Sequence, residues 1–132
     1  MAKILVVDDE EDIRKVIVSV FRSTGHNIIE AADGEEGIQL AITYTPELII
    51  SDVSMPKLDG MEMANVLSSH PGTSKIPIIL LSAKRIEAKD QREGIAKGAR
   101  EYFAKPFEVN DLLFAAEKLL REAELKRDMP WA

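Results

Sequence analysis

Leu48-Ile49-Ile50-Ser51-Asp52-Val53-Ser54-Met55-Pro56 sets a short apolar run against an aspartate and then a proline-containing loop. Apolar residues at consecutive positions, in a run this short, are the pattern of a strand buried on both faces. The pattern recurs on either side. Ile4-Leu5-Val6-Val7 is cut off by Asp8-Asp9, and residues 76–81 are cut off by Ser82, with Pro77 confined to the start of that strand. Residues 27–31 read as a more polar strand, nearer an edge. Tyr102-Phe103-Ala104 is a short fifth strand, followed by Lys105-Pro106-Phe107.

Helical patterns fill the intervals. Ile13, Val16, Ile17, Val20 and Phe21 mark one face of a helix, and Gly25 suits its C-terminal cap. Asp33-Gly34 is a turn or a helix start. Ile38, Leu40, Ala41 and Ile42 predict a second helix, which Pro46 stops. Asp59 and Glu62 have capping-box spacing for a third helix, through about Ser68. A polar fourth helix is expected from about Glu87 to Lys97, closed by Gly98. A last helix carries Val109, Leu112, Leu113, Ala116, Leu119, Leu120 and Ala123. Strand and helix alternate five times, which predicts an α/β fold: a parallel sheet with helices on both faces. Residues 1–125 read as one domain and 126–132 as a C-terminal tail. The final Met129-Pro130-Trp131-Ala132 is a helix exit or the start of something further.

The chemistry collects where the strands end. Asp8 and Asp9 end the first, Asp52 the third, Ser82 the fourth and Lys105 the fifth. In a parallel α/β sheet these ends share one edge, where ligands bind. Taken singly each residue has a plainer reading: Asp8-Asp9 with Glu10, Glu11 and Asp12 as an acidic helix start, Asp52 as a turn residue, Lys105 and Ser82 as solvated groups. Taken together they describe a site. Three neighbouring carboxylates cannot all stay ionised without a counter-charge, and a hard divalent cation bound through oxygen supplies one. A carboxylate can accept a phosphoryl group, and that transfer requires chiefly that the phosphoryl oxygens be neutralised. Lys105 offers a point charge for them and Ser82 a hydroxyl donor.

Composition narrows the classes. Of 132 residues, 45% are hydrophobic and 30% charged, as in globular rather than disordered chains. There is no cysteine, which excludes disulfides and thiolate metal sites. The net charge of −6 argues against direct nucleic-acid binding by this domain. His26 and His70 stand apart and read as surface or loop residues rather than ligands. No apolar run is long enough for membrane insertion, and residues 4–7 are too short for a signal peptide, so the expected location is cytoplasmic.

The motifs Ile4-Leu5-Val6-Val7-Asp8-Asp9, Asp52-Val53-Ser54-Met55-Pro56 with Asp59-Gly60, Leu81-Ser82-Ala83 and Lys105-Pro106-Phe107, in this order, resemble the receiver domain of two-component response regulators. The resemblance runs to about Leu120. It implies a flavodoxin-like (βα)5 fold with strand order 2-1-3-4-5, so that the first and third strands lie side by side. It further implies Asp52 as phosphoacceptor; Mg2+ held directly by Asp9 and Asp52, by Asp8 mostly through water, and by the backbone carbonyl of Ser54; Lys105 on a phosphoryl oxygen, with a Lys105-Pro106 bond that can be cis; and Ser82 with Tyr102 as the switch pair. Ser54 and Lys84 occupy the positions that tune phosphate lifetime in that family. Partners implied are a sensor histidine kinase or phosphotransfer protein, and downstream a target protein or a second copy docking on the face of the last two strands and helices.

Alternatives remain open at this point. One is a degenerate receiver serving as a constitutive docking module, another the N-terminal receiver fragment of a larger regulator with an output domain. Haloacid-dehalogenase-type phosphatases place an aspartate after a strand with magnesium, but need a second acid two residues on, where this chain has Ser54. A nucleotide or flavin binder lacks its Gly-x-Gly-x-x-Gly or Gly-Lys-Ser/Thr run here.

Overall fold

Strand β3, Leu48–Asp52, is buried at all of its positions and forms the centre of a five-stranded parallel sheet. The computed structural model describes residues 2–82, 92, 95–96 and 98–128. Their order is β1 (Lys3–Val7), α1 (Glu11–Ser23), β2 (Asn27–Ala31), α2 (Gly34–Tyr44), β3, α3 (Gly60–Ser69), β4 (Ile78–Ser82), β5 (Glu101–Ala104) and α4 (Val109–Asp128). The strands lie in the order β2-β1-β3-β4-β5, as the resemblance implies. The helix expected from Glu87 to Lys97 falls outside the described residues except at positions 92, 95 and 96; Lys84 and residues 129–132 also lie outside them.

Alternation along the strands divides the core into two layers. Ile4, Val6, Leu48, Ile50, Ile79 and Leu81 face one way, packed with Ile17 and Phe21 of α1 and with Leu112, Ala116 and Leu119 of α4. Leu5, Val7, Ile49, Ile78 and Leu80 face the other way, against Ala41 of α2 and Met63, Ala64 and Leu67 of α3. Burial on both faces is why these strands read as continuous apolar runs. The polar β2 pairs with β1 alone and is an edge, as its composition suggests.

Local signals hold at the helix ends. Asp33 accepts a hydrogen bond from Glu36 N–H at 2.8 Å and Asp59 one from Glu62 N–H at 2.8 Å, so both are true N-caps. Asp33-Gly34 is therefore a helix start. Gly25 follows α1 with φ +91° and donates its N–H to the Arg22 carbonyl at 3.0 Å, a C-terminal position that favours glycine.

Two details differ from expectation. β4 begins at Ile78, because Pro77 has no N–H for the ladder; its carbonyl still accepts from Ile49 N–H at 3.0 Å. In α1 the buried stripe is rotated toward Arg14 and Val18, leaving Val16 exposed where a buried residue is expected. The periodicity supplies a helix but not its rotation about its axis, which the helix α4 lying against it decides.

Gly60, the first residue of α3, sits against the strand end that carries Asp52. Its N–H donates to the Val53 carbonyl at 2.9 Å, and a Cβ there would collide with the carbonyl oxygen of Asp52. Gly60→Ala is expected to destabilise the fold by about 1–3 kcal/mol, the usual cost of overpacking. Urea unfolding with an unchanged m-value would measure it.

Candidate functional site

Parallel strands deliver the site residues to one edge. Asp8 follows β1, Asp52 ends β3, Ser82 ends β4 and Lys105 follows β5. The backbone continues the ladder just past the strands: Asp8 N–H donates to the Ala31 carbonyl at 3.1 Å, Val53 N–H to Leu81 at 2.8 Å, and Lys105 N–H to Ser82 at 2.6 Å. The Lys105–Pro106 bond is cis. The three ladder hydrogen bonds fix the backbone beside the residues bearing functional side chains.

The side chains converge. The Lys105 ammonium lies 3.4 Å from Asp52 Oδ1 and 3.6 Å from Asp8 Oδ2. Both aspartates are buried, 1% exposed for Asp8 and 3% for Asp52. Asp8 Oδ1 accepts a hydrogen bond from Glu10 N–H at 2.9 Å. Asp8 Oδ2 and Asp52 Oδ1 are buried without any hydrogen-bond partner. Asp8, Glu10 and Asp52 each present a carboxylate oxygen within 4.8 Å of the others. Glu10 is the member sequence reasoning passed over, as it stands where an acidic helix start is ordinary. Its sign is its position two residues beyond Asp8, in the turn that its own N–H closes.

The other expected residues are placed as follows. Asp9 is exposed and outside the group of three carboxylates. Ser54 is exposed, in the loop that follows β3. Ser82 is buried, and its register partner on β5 is Ala104. Tyr102 is half-buried on β5, opposite Leu80, and packs against the layer that contains α2 and α3.

Three carboxylates against one ammonium leave an excess of two negative charges. Unpartnered buried oxygens of this kind suit a hard divalent cation, so Asp8, Glu10 and Asp52 form a set that could hold a metal. Without one, burial raises the Asp52 and Asp8 carboxyls above their ordinary range. The Lys105 ammonium opposes that rise at both, and the Glu10 N–H also opposes it at Asp8. A carboxyl raised on folding binds more protons in the folded than in the unfolded state above about pH 4, so its contribution to stability falls as pH rises through that window. In metal-free buffer, Asp52→Asn is expected to raise the melting temperature at pH 7, with the gain shrinking as pH is lowered toward 4. A gain independent of pH would contradict this cause.

Known proteins share the sequence pattern and the fold. The response regulator receiver domain pattern matches residues 4–117. The chain is 39% identical over 123 residues to the alkaline phosphatase synthesis transcriptional regulatory protein PhoP of Bacillus subtilis, covering 93% of this chain and 50% of that protein. It is also 39% identical over 122 residues to the probable transcriptional regulator ycf27 of Cyanophora paradoxa, covering 92% and 49%. It thus spans about half the length of these curated relatives. Among solved structures, a Francisella response regulator receiver domain superposes with a TM-score of 0.87 at 30% identity, covering 93% of this chain and 99% of that one. The chemotaxis response regulator CheY4 of Vibrio cholerae gives 0.84 at 32% identity, covering 90% and 98%. Among the described residues no helix is long and apolar enough to cross a membrane. A doubly wound sheet with an acidic pocket at its C-terminal edge, matched along nearly its whole length, belongs to the receiver-domain family of two-component response regulators, a phosphorylation-dependent signalling module rather than a turnover enzyme.

Proposed function

We propose that Asp52 is the phosphoacceptor and that the chain works as an aspartyl-phosphate switch loaded by a histidine kinase or a phosphotransfer protein. The observation that carries this reading is the buried, unbonded Asp52 Oδ1 facing the Lys105 ammonium at 3.4 Å. That oxygen is engaged by the Lys105 ammonium alone, a cation that can pass to a phosphoryl oxygen as the carboxylate forms its bond to phosphorus.

In the transfer, an Asp52 carboxylate oxygen forms the new bond to phosphorus. The phosphorus–nitrogen bond of the donor phosphohistidine breaks, and its electron pair stays on the imidazole, which then takes up a proton. Lys105 is positioned to pair with a phosphoryl oxygen in place of a carboxylate, and the Ser82 hydroxyl, on the adjacent strand end, to donate to another. Magnesium, which Asp9 and Asp52 would hold directly, Asp8 mostly through water and the Ser54 backbone carbonyl as a further ligand, with Glu10 beside them, would neutralise charge on the transferred group. Tyr102 shares β5 with the segment leading to Lys105, so movement of Ser82 and Lys105 reaches it through one short strand.

The output follows from the altered face of β4, β5 and the helices after them, which would bind a target protein or a second copy. Relatives named as transcriptional regulators are about twice as long. The chain's net charge of −6 repels DNA phosphates, which disfavours direct DNA contact by this unit. We take residues 1–125 as the receiver unit and a cytoplasmic location, where a kinase can reach it.

Intact mass measured after incubation with a small phosphodonor and Mg2+ tests the proposal. One phosphoryl group should add to the unaltered protein and none to Asp52→Asn or to a metal-free sample. Lys105→Ala should slow loading by on the order of 10²-fold. An equal mass gain in Asp52→Asn would overturn the assignment.

A further inference from the structure

The turn between β1 and α1 carries two of the three gathered carboxylates, Asp8 and Glu10, yet α1 lacks the anchor its sister helices have. Its N-cap residue Glu10 makes no side-chain capping hydrogen bond, whereas Asp33 and Asp59 cap α2 and α3. Arg14, the fourth residue of α1, reaches the turn instead.

Arg14 Nη1 donates to the Asp8 carbonyl at 2.7 Å, and Nε donates to Glu30 Oε1 on β2 at 3.0 Å. The side chain is only 15% exposed, in keeping with the rotation of α1 toward Arg14 and Val18. Its backbone N–H donates to the Glu10 carbonyl at 3.0 Å, the first hydrogen bond of the helix. The Asp8 residue is thereby held on both sides, its N–H by the Ala31 carbonyl at the end of β2 and its own carbonyl by Arg14. Glu30 closes the ring, since it sits one residue before Ala31 on that strand. A planar guanidinium can hold a carbonyl and a carboxylate at once in fixed directions, which a lysine cannot.

We infer that Arg14 is a positioning residue of the metal site: through the Asp8 carbonyl and Glu30 it sets the turn from which the Asp8 and Glu10 carboxylates project. The inference rests on the metal reading proposed above. It concerns a residue that touches neither the cation nor the phosphoryl group. Groups that orient ligands from behind in this way are worth 10- to 100-fold in metal affinity.

Mn2+ binding to the full chain, followed by electron paramagnetic resonance, supplies a readout that needs no phosphorylation. Arg14→Ala is expected to weaken Mn2+ by about 10-fold or more, measured well below its melting temperature. Arg14→Lys, which keeps the charge and the fold, should fall between Arg14→Ala and the unaltered protein. Glu30→Gln should weaken binding by a smaller factor, since the bond to the Asp8 carbonyl survives. Asp52→Asn serves as the control for binding at this site. Native affinity in both Arg14 variants, even with lowered melting temperatures, would overturn the positioning role and leave the metal reading intact. No saturable Mn2+ binding by the unaltered protein, or binding indifferent to Asp52→Asn, would overturn the metal reading and this inference with it.

Discussion

Asp8 and Asp52 are held out of water at the ends of neighbouring strands, each with one carboxylate oxygen that nothing hydrogen-bonds, and the ammonium of Lys105 stands between them. Burying a carboxylate without a partner is costly, and a single ammonium at 3.4–3.6 Å offsets two of them only in part. The rest of the molecule can be understood as what makes this arrangement sustainable. Two apolar layers hold the sheet together, and the sheet in turn holds the charges where they are. The same incomplete compensation makes the site receptive, because a cation or a phosphoryl group changes its electrostatics far more than it would at a neutral surface.

Rigidity at the site comes from the backbone. Gly60 lets α3 begin directly against the Asp52 carbonyl, and Gly34 lets the loop after β3 approach α2 so closely that a Cβ would collide with the Leu58 carbonyl. The loop is further tied by the Lys57–Asp33 ion pair at 3.8 Å, weak on an exposed surface but placed at the cap of α2. At the opposite edge, His26 links the chain start to α4: its Nδ1 accepts from Ala2 N–H at 3.1 Å and its Nε2 lies 2.7 Å from Glu117 Oε1. Neither histidine belongs to the group of carboxylates at the site.

Much of this was legible in the residues. Consecutive apolar positions at 4–7, 48–50 and 78–81 announce strands covered on both faces, and the polarity of residues 27–31 announces an edge. Asp59 announces a cap through Glu62 three residues on, while Asp33-Gly34 reads only as a turn or a helix start, and the structure makes Asp33 a cap. The strand-terminal residues Asp8, Asp52, Ser82 and Lys105 were readable as a site because a parallel sheet puts its C-terminal ends on one edge. Less legible were features that depend on rotation and reach. Val16 and Val18 are equivalent in composition, and the packing of α1 decides which is buried. Glu10 and Asp9 are equivalent in charge, and the Asx-type turn closed by Glu10 N–H on Asp8 sets which carboxylate joins Asp8 and Asp52.

The sequence by itself determined the class of fold, the order of the described elements and the strand-end residues Asp8, Asp52, Ser82 and Lys105 that meet at one edge, because periodicity and strand-end chemistry are local properties of the chain. The tertiary structure decided the side-chain geometry: that Lys105 bridges Asp8 and Asp52, that Glu10 joins them, and that Arg14 ties their turn to Glu30. Those outcomes depend on distances between residues far apart in the chain, and only the packed sheet and helices set such distances.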